Sequence, residues 1–208
     1  MVSSNMIVEL QDERTRAWHE ARETDGRTAP QDEEAAWLEL VARQHGANFD
    51  LWHIEDEART PDATCELIAS VKKRIDTTNQ LRNDLAEELD RVLLEGLSKQ
   101  GLPNAEAPLN SESPGLMIDR LSILALKIYH TREEAERADA PEGHAGRNRE
   151  RLNVLEEQRA DLAGCLDELW RGTLKGTRRF KIYRQMKMYN DPDLNPAIYR
   201  KASTESVG

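Results

Sequence analysis

Two cysteines in 208 residues, Cys65 and Cys165, stand far apart with no second cysteine or histidine at ligand spacing, which excludes a disulfide framework or a zinc ribbon. Both fall inside helical patterns and are expected to be buried free thiols. Aromatic residues make up 5% of the chain, too few for the large cavities of terpene cyclases despite the partial motif Asn83-Asp84-Leu85 with Glu87. No apolar run approaches the roughly 20 residues of a membrane span, and MVSSNMIVEL carries no apolar signal core. A cytoplasmic protein is expected. A phosphate-binding Gly loop, GxSxG and HExxH are all missing. The ExxD pair Glu87 and Asp90 lacks the upstream ExxE of all-α nucleotide pyrophosphohydrolases.

What is present is charge and helix. A third of the residues are charged, in long Ala/Leu/Glu/Arg-rich segments, so the fold class is all-α. The net charge of −10 is uneven: Arg171 to Lys201 holds nine basic residues against Asp191 and Asp193, plus seven in all, leaving minus seventeen elsewhere. That imbalance predicts an arm docked on the acidic bundle, or on a partner, and argues against nucleic acid.

The chain reads as an N-terminal helix and linker (1–30), a helical bundle (31–176) and a basic, aromatic C-terminal arm (177–208) with a disordered end. A shift of 77 places Leu51-Trp52-His53 over Ile128-Tyr129-His130. It also places Arg82, Asp84-Leu85-Ala86, Leu89-Asp90 over Arg159, Asp161-Leu162-Ala163, Leu166-Asp167. One offset across two helices and a turn predicts two pseudo-symmetric antiparallel hairpins, about 36–97 and 114–174, packed as a four-helix core.

The stretch from Lys72 to Asp90 is the hardest to read as plain helix. Ile68, Val71, Ile75, Thr78, Leu81, Leu85, Leu89 and Val92 take the spacing of a core face. Asp76, Asn79, Asn83, Glu87 and Asp90 recur on another face, where short polar side chains compete for the backbone and weaken the helix. Such residues are expected to bind a ligand or a neighbouring helix. In the fourth helix, Leu116 to about Ala138, apolar residues leave one sector for Asp119, Arg120, Lys127 and His130, which suits an anionic or polyhydroxylated ligand.

His53 with Asp56 and His130 with Glu133 stand at i and i+3. Asp76, Asn83 or Glu87 from the facing helix would complete an O/N ligand set for a divalent Mn, Fe or Mg ion, giving His53, Asp56, Asp76, Glu87 and His130 as candidate metal ligands.

NFDLWHIEDEAR, KKRIDTTNQLRND and GLMIDRLSILALKIYH, with KMYNDP near the end, resemble an uncharacterised bacterial family, the domain of unknown function DUF4254, over most of residues 35 to 192. The resemblance places the family pattern on Asn48, Trp52, His53, Glu55, Asp56, Arg59, Lys72, Asp76, Asn79, Gln80, Arg82, Asn83, Asp119 and Lys127. It implies a setting beside cell-surface glycosyltransferases and no established reaction.

Two functional readings stay open. In one, the bundle binds a small anionic, sugar-phosphate or nucleotide-sugar ligand with metal assistance in cell-surface polysaccharide metabolism. Asp76 and His53 are then acid/base or metal ligand, and Trp52, Asn79, Arg82, Asn83, Asp119, Arg120 and Lys127 bind the ligand. In the other, the polar stripe is a buried network in a non-enzymatic adaptor or homo-oligomer with a protein partner.

Overall fold

The computed structural model describes residues 3–20 and 32–184. Five helices follow in order: α1 (Ser4–Glu20), α2 (Glu33–Glu57), α3 (Cys65–Ser98), α4 (Pro114–Glu136) and α5 (His144–Leu174). Three start where the sequence offers an oxygen to the first free amides. Asp32 accepts from the Ala35 amide at 2.8 Å, Thr64 from Leu67 at 3.2 Å, and Ser113 from Leu116 at 3.4 Å with Pro114 opening the helix. Among the described residues no helix is long and apolar enough to cross a membrane.

The fold is an all-α helical bundle built from two antiparallel hairpins, α2/α3 and α4/α5. α4 packs against all four other helices. α1 lies against α4, α2 and α5, and Ile7 joins Leu89, Leu97, Ile118, Leu121 and Leu166 in the core. Contacts that advance together along the chain, Thr15 with His45 and His19 with His53, then His45 with Ser122 and His53 with His130, show that α1, α2 and α4 run in one direction.

The 77-residue offset is visible in space. His45 hydrogen-bonds Ser122, its own mate, and the rings of His53 and His130 lie 6.2 Å apart. Both of these mate pairs meet between α2 and α4. The mates Asp90 and Asp167 each hold a helix start: Asp90 accepts from the Gly115 amide of α4 at 2.7 Å, and Asp167 from the Ser4 amide and hydroxyl of α1 at 3.0 and 2.8 Å. Arg82 pairs with Asp119 on α4 and its mate Arg159 with Asp12 on α1. α1 therefore does for α5 what α4 does for α3. A side chain at Gly115 would run into the Ala86 carbonyl oxygen, so only glycine permits this approach of α4 to α3.

Two expectations are corrected. Ile68 and Leu81 are 48% and 47% exposed, while Val71 between them is buried. At about 100° per residue Ile68 and Leu81 stand roughly 140° apart, so the three-and-four spacing drifts off the contact line on both sides. α3, about 50 Å long at 1.5 Å per residue, also outruns the roughly 35 Å of α4. Cys65 and Cys165 are free as expected but exposed, not buried.

At the other end, Phe180 is buried in the core, and Arg179 donates to the Pro108 carbonyl from its amide and to the Ala107 carbonyl from its guanidinium. These bonds tie the start of the basic arm to the α3–α4 loop. The remainder of the arm lies outside the described residues, as does the linker at 21–31.

Candidate functional site

The parallel helices α1, α2 and α4 stack their polar residues in two layers. In the inner layer Asp119 is buried and takes four hydrogen bonds. Arg82 grips it with Nε and Nη2, both at 2.7 Å, Gln44 donates at 2.6 Å and Asn48 at 2.9 Å. The Asp119 carboxylate raises the Arg82 guanidinium above its usual range. From Asn48 a directed chain follows. Its amide donates to Ser122 Oγ at 2.9 Å, and Ser122 donates to His45 Nδ1 at 2.7 Å. His45 Nε2–H donates to Thr15 Oγ at 2.8 Å, which passes its proton to the Gln11 carbonyl oxygen. Because the Thr15 hydroxyl gives its proton to a carbonyl, His45 must be the Nε2–H tautomer. Burial holds His45 down to about 4, so its ring stays neutral.

The outer layer begins one or two turns further along the same three helices. Thr15 plus four gives His19, His45 plus eight gives His53, and Ser122 plus eight gives His130. Their ligating nitrogens all lie within 4.8 Å of one another. His19 Nδ1 bonds the Thr15 carbonyl at 2.7 Å and His53 Nδ1 the Phe49 carbonyl at 2.9 Å, both within their own helix. A carbonyl only accepts, so each Nδ1 carries a proton and Nε2 is the nitrogen through which each ring could bind a metal. His130 Nδ1 meets the Glu133 carboxylate at 2.9 Å, which fixes the same tautomer. Nε2 of His19 and of His130 are buried with no hydrogen-bond partner. Burial foremost, with His19 and His53 alongside and Glu133 opposing, lowers the His130 ring below its usual range and favours its neutral form.

Aromatic rings fix the geometry. Tyr129 stacks on His19 with centroids 4.3 Å apart, Trp52 on His130 at 4.7 Å, and Phe49 lies 4.4 Å from His53. Three imidazoles, each tied at Nδ1 by a carbonyl or carboxylate, have the form of a metal-ligand set with its outer support in place. His19 lies in the last turn of α1, where the helix end also favours a cation. Among the described residues no fourth His, Cys, Asp or Glu joins the group.

Beside this layer, a cavity of about 270 Å³ between α1 and α4 is lined by Arg16, Glu20, Tyr129, Arg132, Glu133 and Glu136 among others.

The model of one protein family, described as Protein of unknown function (DUF4254), matches residues 38–182. The chain belongs to this family. No curated protein and no solved structure matches it. The DUF4254 match spans His53 and His130 but begins beyond α1, so His19 comes from outside the matched residues.

Of the residues singled out in the sequence, His53, His130 and Trp52 meet in the outer layer. Arg82 and Asp119 meet in the inner layer, with Asn79 at 3.5 Å from the Arg82 guanidinium. Asp56 is exposed on α2; Asp76 and Glu87 are half-buried on α3, Asp76 with Lys72 at 3.4 Å, and none of the three belongs to the histidine group. Asn83 is half-buried on α3. Arg120 is exposed and paired with Glu112 at 2.9 Å, and Lys127 is exposed. Sequence reasoning paired His130 with Glu133 but missed His19, His45, Thr15 and the stacking of Tyr129 on His19. The offset of 77 did point to His45, since Ser122 is its mate, and Thr15 and His19 share one face of α1 at i and i+4.

Proposed function

We propose that this protein binds one transition-metal ion through Nε2 of His19, His53 and His130, and works through that ion. The observation that carries the reading is the convergence of three imidazoles whose Nδ1 groups are all engaged, two of them with buried, unpartnered Nε2 atoms. A buried nitrogen without a partner is costly unless something fills its lone pair. Imidazole ligands suit Zn, Fe, Ni and Cu, whereas Mg takes oxygen. Within the range of ions expected from the sequence, this set favours Fe.

The finer reading, a small anionic ligand such as a sugar phosphate or nucleotide sugar in cell-surface polysaccharide metabolism, changes its footing. The Arg82 charge is paired with Asp119 through Nε and Nη2, which weakens its pull on an incoming anion. The attraction for an anion would come from the ion, whose 2+ charge three neutral ligands leave uncompensated. The adaptor reading draws on the inner layer, whose hydrogen bonds link α1, α2 and α4, and it leaves the two buried Nε2 atoms unexplained.

Thermal unfolding of metal-stripped protein tests the reading. Zn, Ni or Co at a thousandfold its Kd stabilises by about 4 kcal/mol, roughly 10 °C for a chain of this size, and Mg leaves the midpoint unchanged. Equal midpoints with every ion would refute it.

A further inference from the structure

We infer that the ion latches the C-terminal half of α1 onto the bundle, so that metal occupancy switches this half between a docked and a released state. The inference rests on the metal reading above and names what the ion controls. Of the three ligands α1 supplies His19 alone, and the family match begins at residue 38, beyond α1. An ion held by all three rings binds only the docked state. By mass action its binding must favour docking.

The two halves of α1 are held differently. The N-terminal half is complete without an ion. Ser4 donates to the Asp167 carboxylate at 3.0 and 2.8 Å, and Ile7 is fully buried in the core. Gln11 donates to the Ile118 carbonyl at 3.3 Å, and Asp12 pairs with Arg159 at 2.7 Å.

From Thr15 onward the packing opens. The cavity of about 270 Å³ lies between Thr15, Arg16 and Glu20 of α1 and Tyr129, Arg132 and Glu133 of α4. This half is held by the Thr15–His45 hydrogen bond, by the Trp18 ring on His45 and Phe49, and by the His19 ring among Tyr129, His53 and His130. His19 and His130 meet edge to face with centroids 5.0 Å apart, and Nε2 of each is buried with no partner. Unpaired buried nitrogens oppose docking; release lets water reach them, and an ion satisfies them in place. The ion thus acts where α1 is held least. Release would uncover the rings of Phe49 and Tyr129, so the state of the metal site is written on the surface of α2 and α4.

Amide hydrogen exchange on the full chain, metal-stripped and then with zinc at a hundredfold its Kd, tests the switch, with zinc binding confirmed by isothermal titration. In the stripped protein the amides of residues 15–20 should exchange at least tenfold faster than those of residues 121–128 in α4. Zinc should slow residues 15–20 about 100-fold, because opening must now expel the ion. His53→Ala leaves the sequence of α1 untouched and should abolish this slowing; if it does not fold, His53→Gln replaces it. Zinc binding that leaves these rates unchanged overturns the latch and leaves the metal reading standing. So do stripped-protein rates already equal to those of α4, or a slowing that survives in the His53 variant. Failure to bind zinc overturns both.

Discussion

The two layers of the α1/α2/α4 seam use the same side chain in opposite ways. His45 in the inner layer has both ring nitrogens bonded, to Ser122 and to Thr15, and is fully buried. His19, His53 and His130, one or two turns away, each have Nδ1 bonded, one ring nitrogen of each lies within 4.8 Å of the others, and Nε2 of His19 and of His130 is buried without a partner. A histidine with both nitrogens satisfied by protein is complete as it stands. Three histidines satisfied on one side are complete only with something between them. Burial and residue type alone do not separate these cases; the count of partners per nitrogen does.

The comparison breaks most sharply at Asp119. Asp119→Ala removes four hydrogen bonds and strands the Arg82 guanidinium, so chemical denaturation should show a loss of roughly 3–5 kcal/mol whether or not metal is present. His19→Ala tests the other side. Zinc affinity should fall by at least 100-fold, about 2.7 kcal/mol by the usual conversion, while the metal-free protein keeps its stability to within about 1 kcal/mol.

Titration separates the layers again. His45 sits at about 4 in the folded chain against an ordinary 6.5, so the unfolded chain binds more protons between these values and stability drops as pH falls through that window. Asp90, raised by burial to about 6 from an ordinary 3.8, has the opposite sign: the folded chain binds more protons, and stability falls as pH rises from 3.8 to 6. The two slopes, each worth up to about 3 kcal/mol, largely offset between pH 4 and 6. Asp90→Asn should therefore steepen the acid loss, and His45→Gln should reverse it, as read from denaturation midpoints at pH 4, 5 and 6. Glu133→Gln leaves the Nδ1 partner in place without its charge and should weaken zinc by about tenfold, measured by chelator competition.

The bundle and its hairpins were legible because helical period and a repeat offset are properties of the chain itself. Offset 77 also relates residues that touch in the fold, His45 to Ser122 and His53 to His130. The site was legible in part. His53 and His130 followed from that repeat, and Arg82 with Asp119 from polar residues on otherwise apolar helices. His19 did not follow, because α1 has no counterpart in the offset and its docking depends on Ile7, Asp12 and Ser4 finding α4 and α5. The carboxylates Asp76 and Glu87 share a helix face with ligand-like spacing, yet spacing does not say where that face points. Ile68 and Leu81 fail for the same reason, as a small drift per turn accumulates over a helix of 34 residues.

Isothermal titration of zinc into the stripped full chain and into His19→Ala, side by side, tests the central claim most directly. The account predicts one ion per wild-type chain and at least 100-fold weaker binding to the variant. Equal binding by both proteins, or none by the wild type, would contradict it.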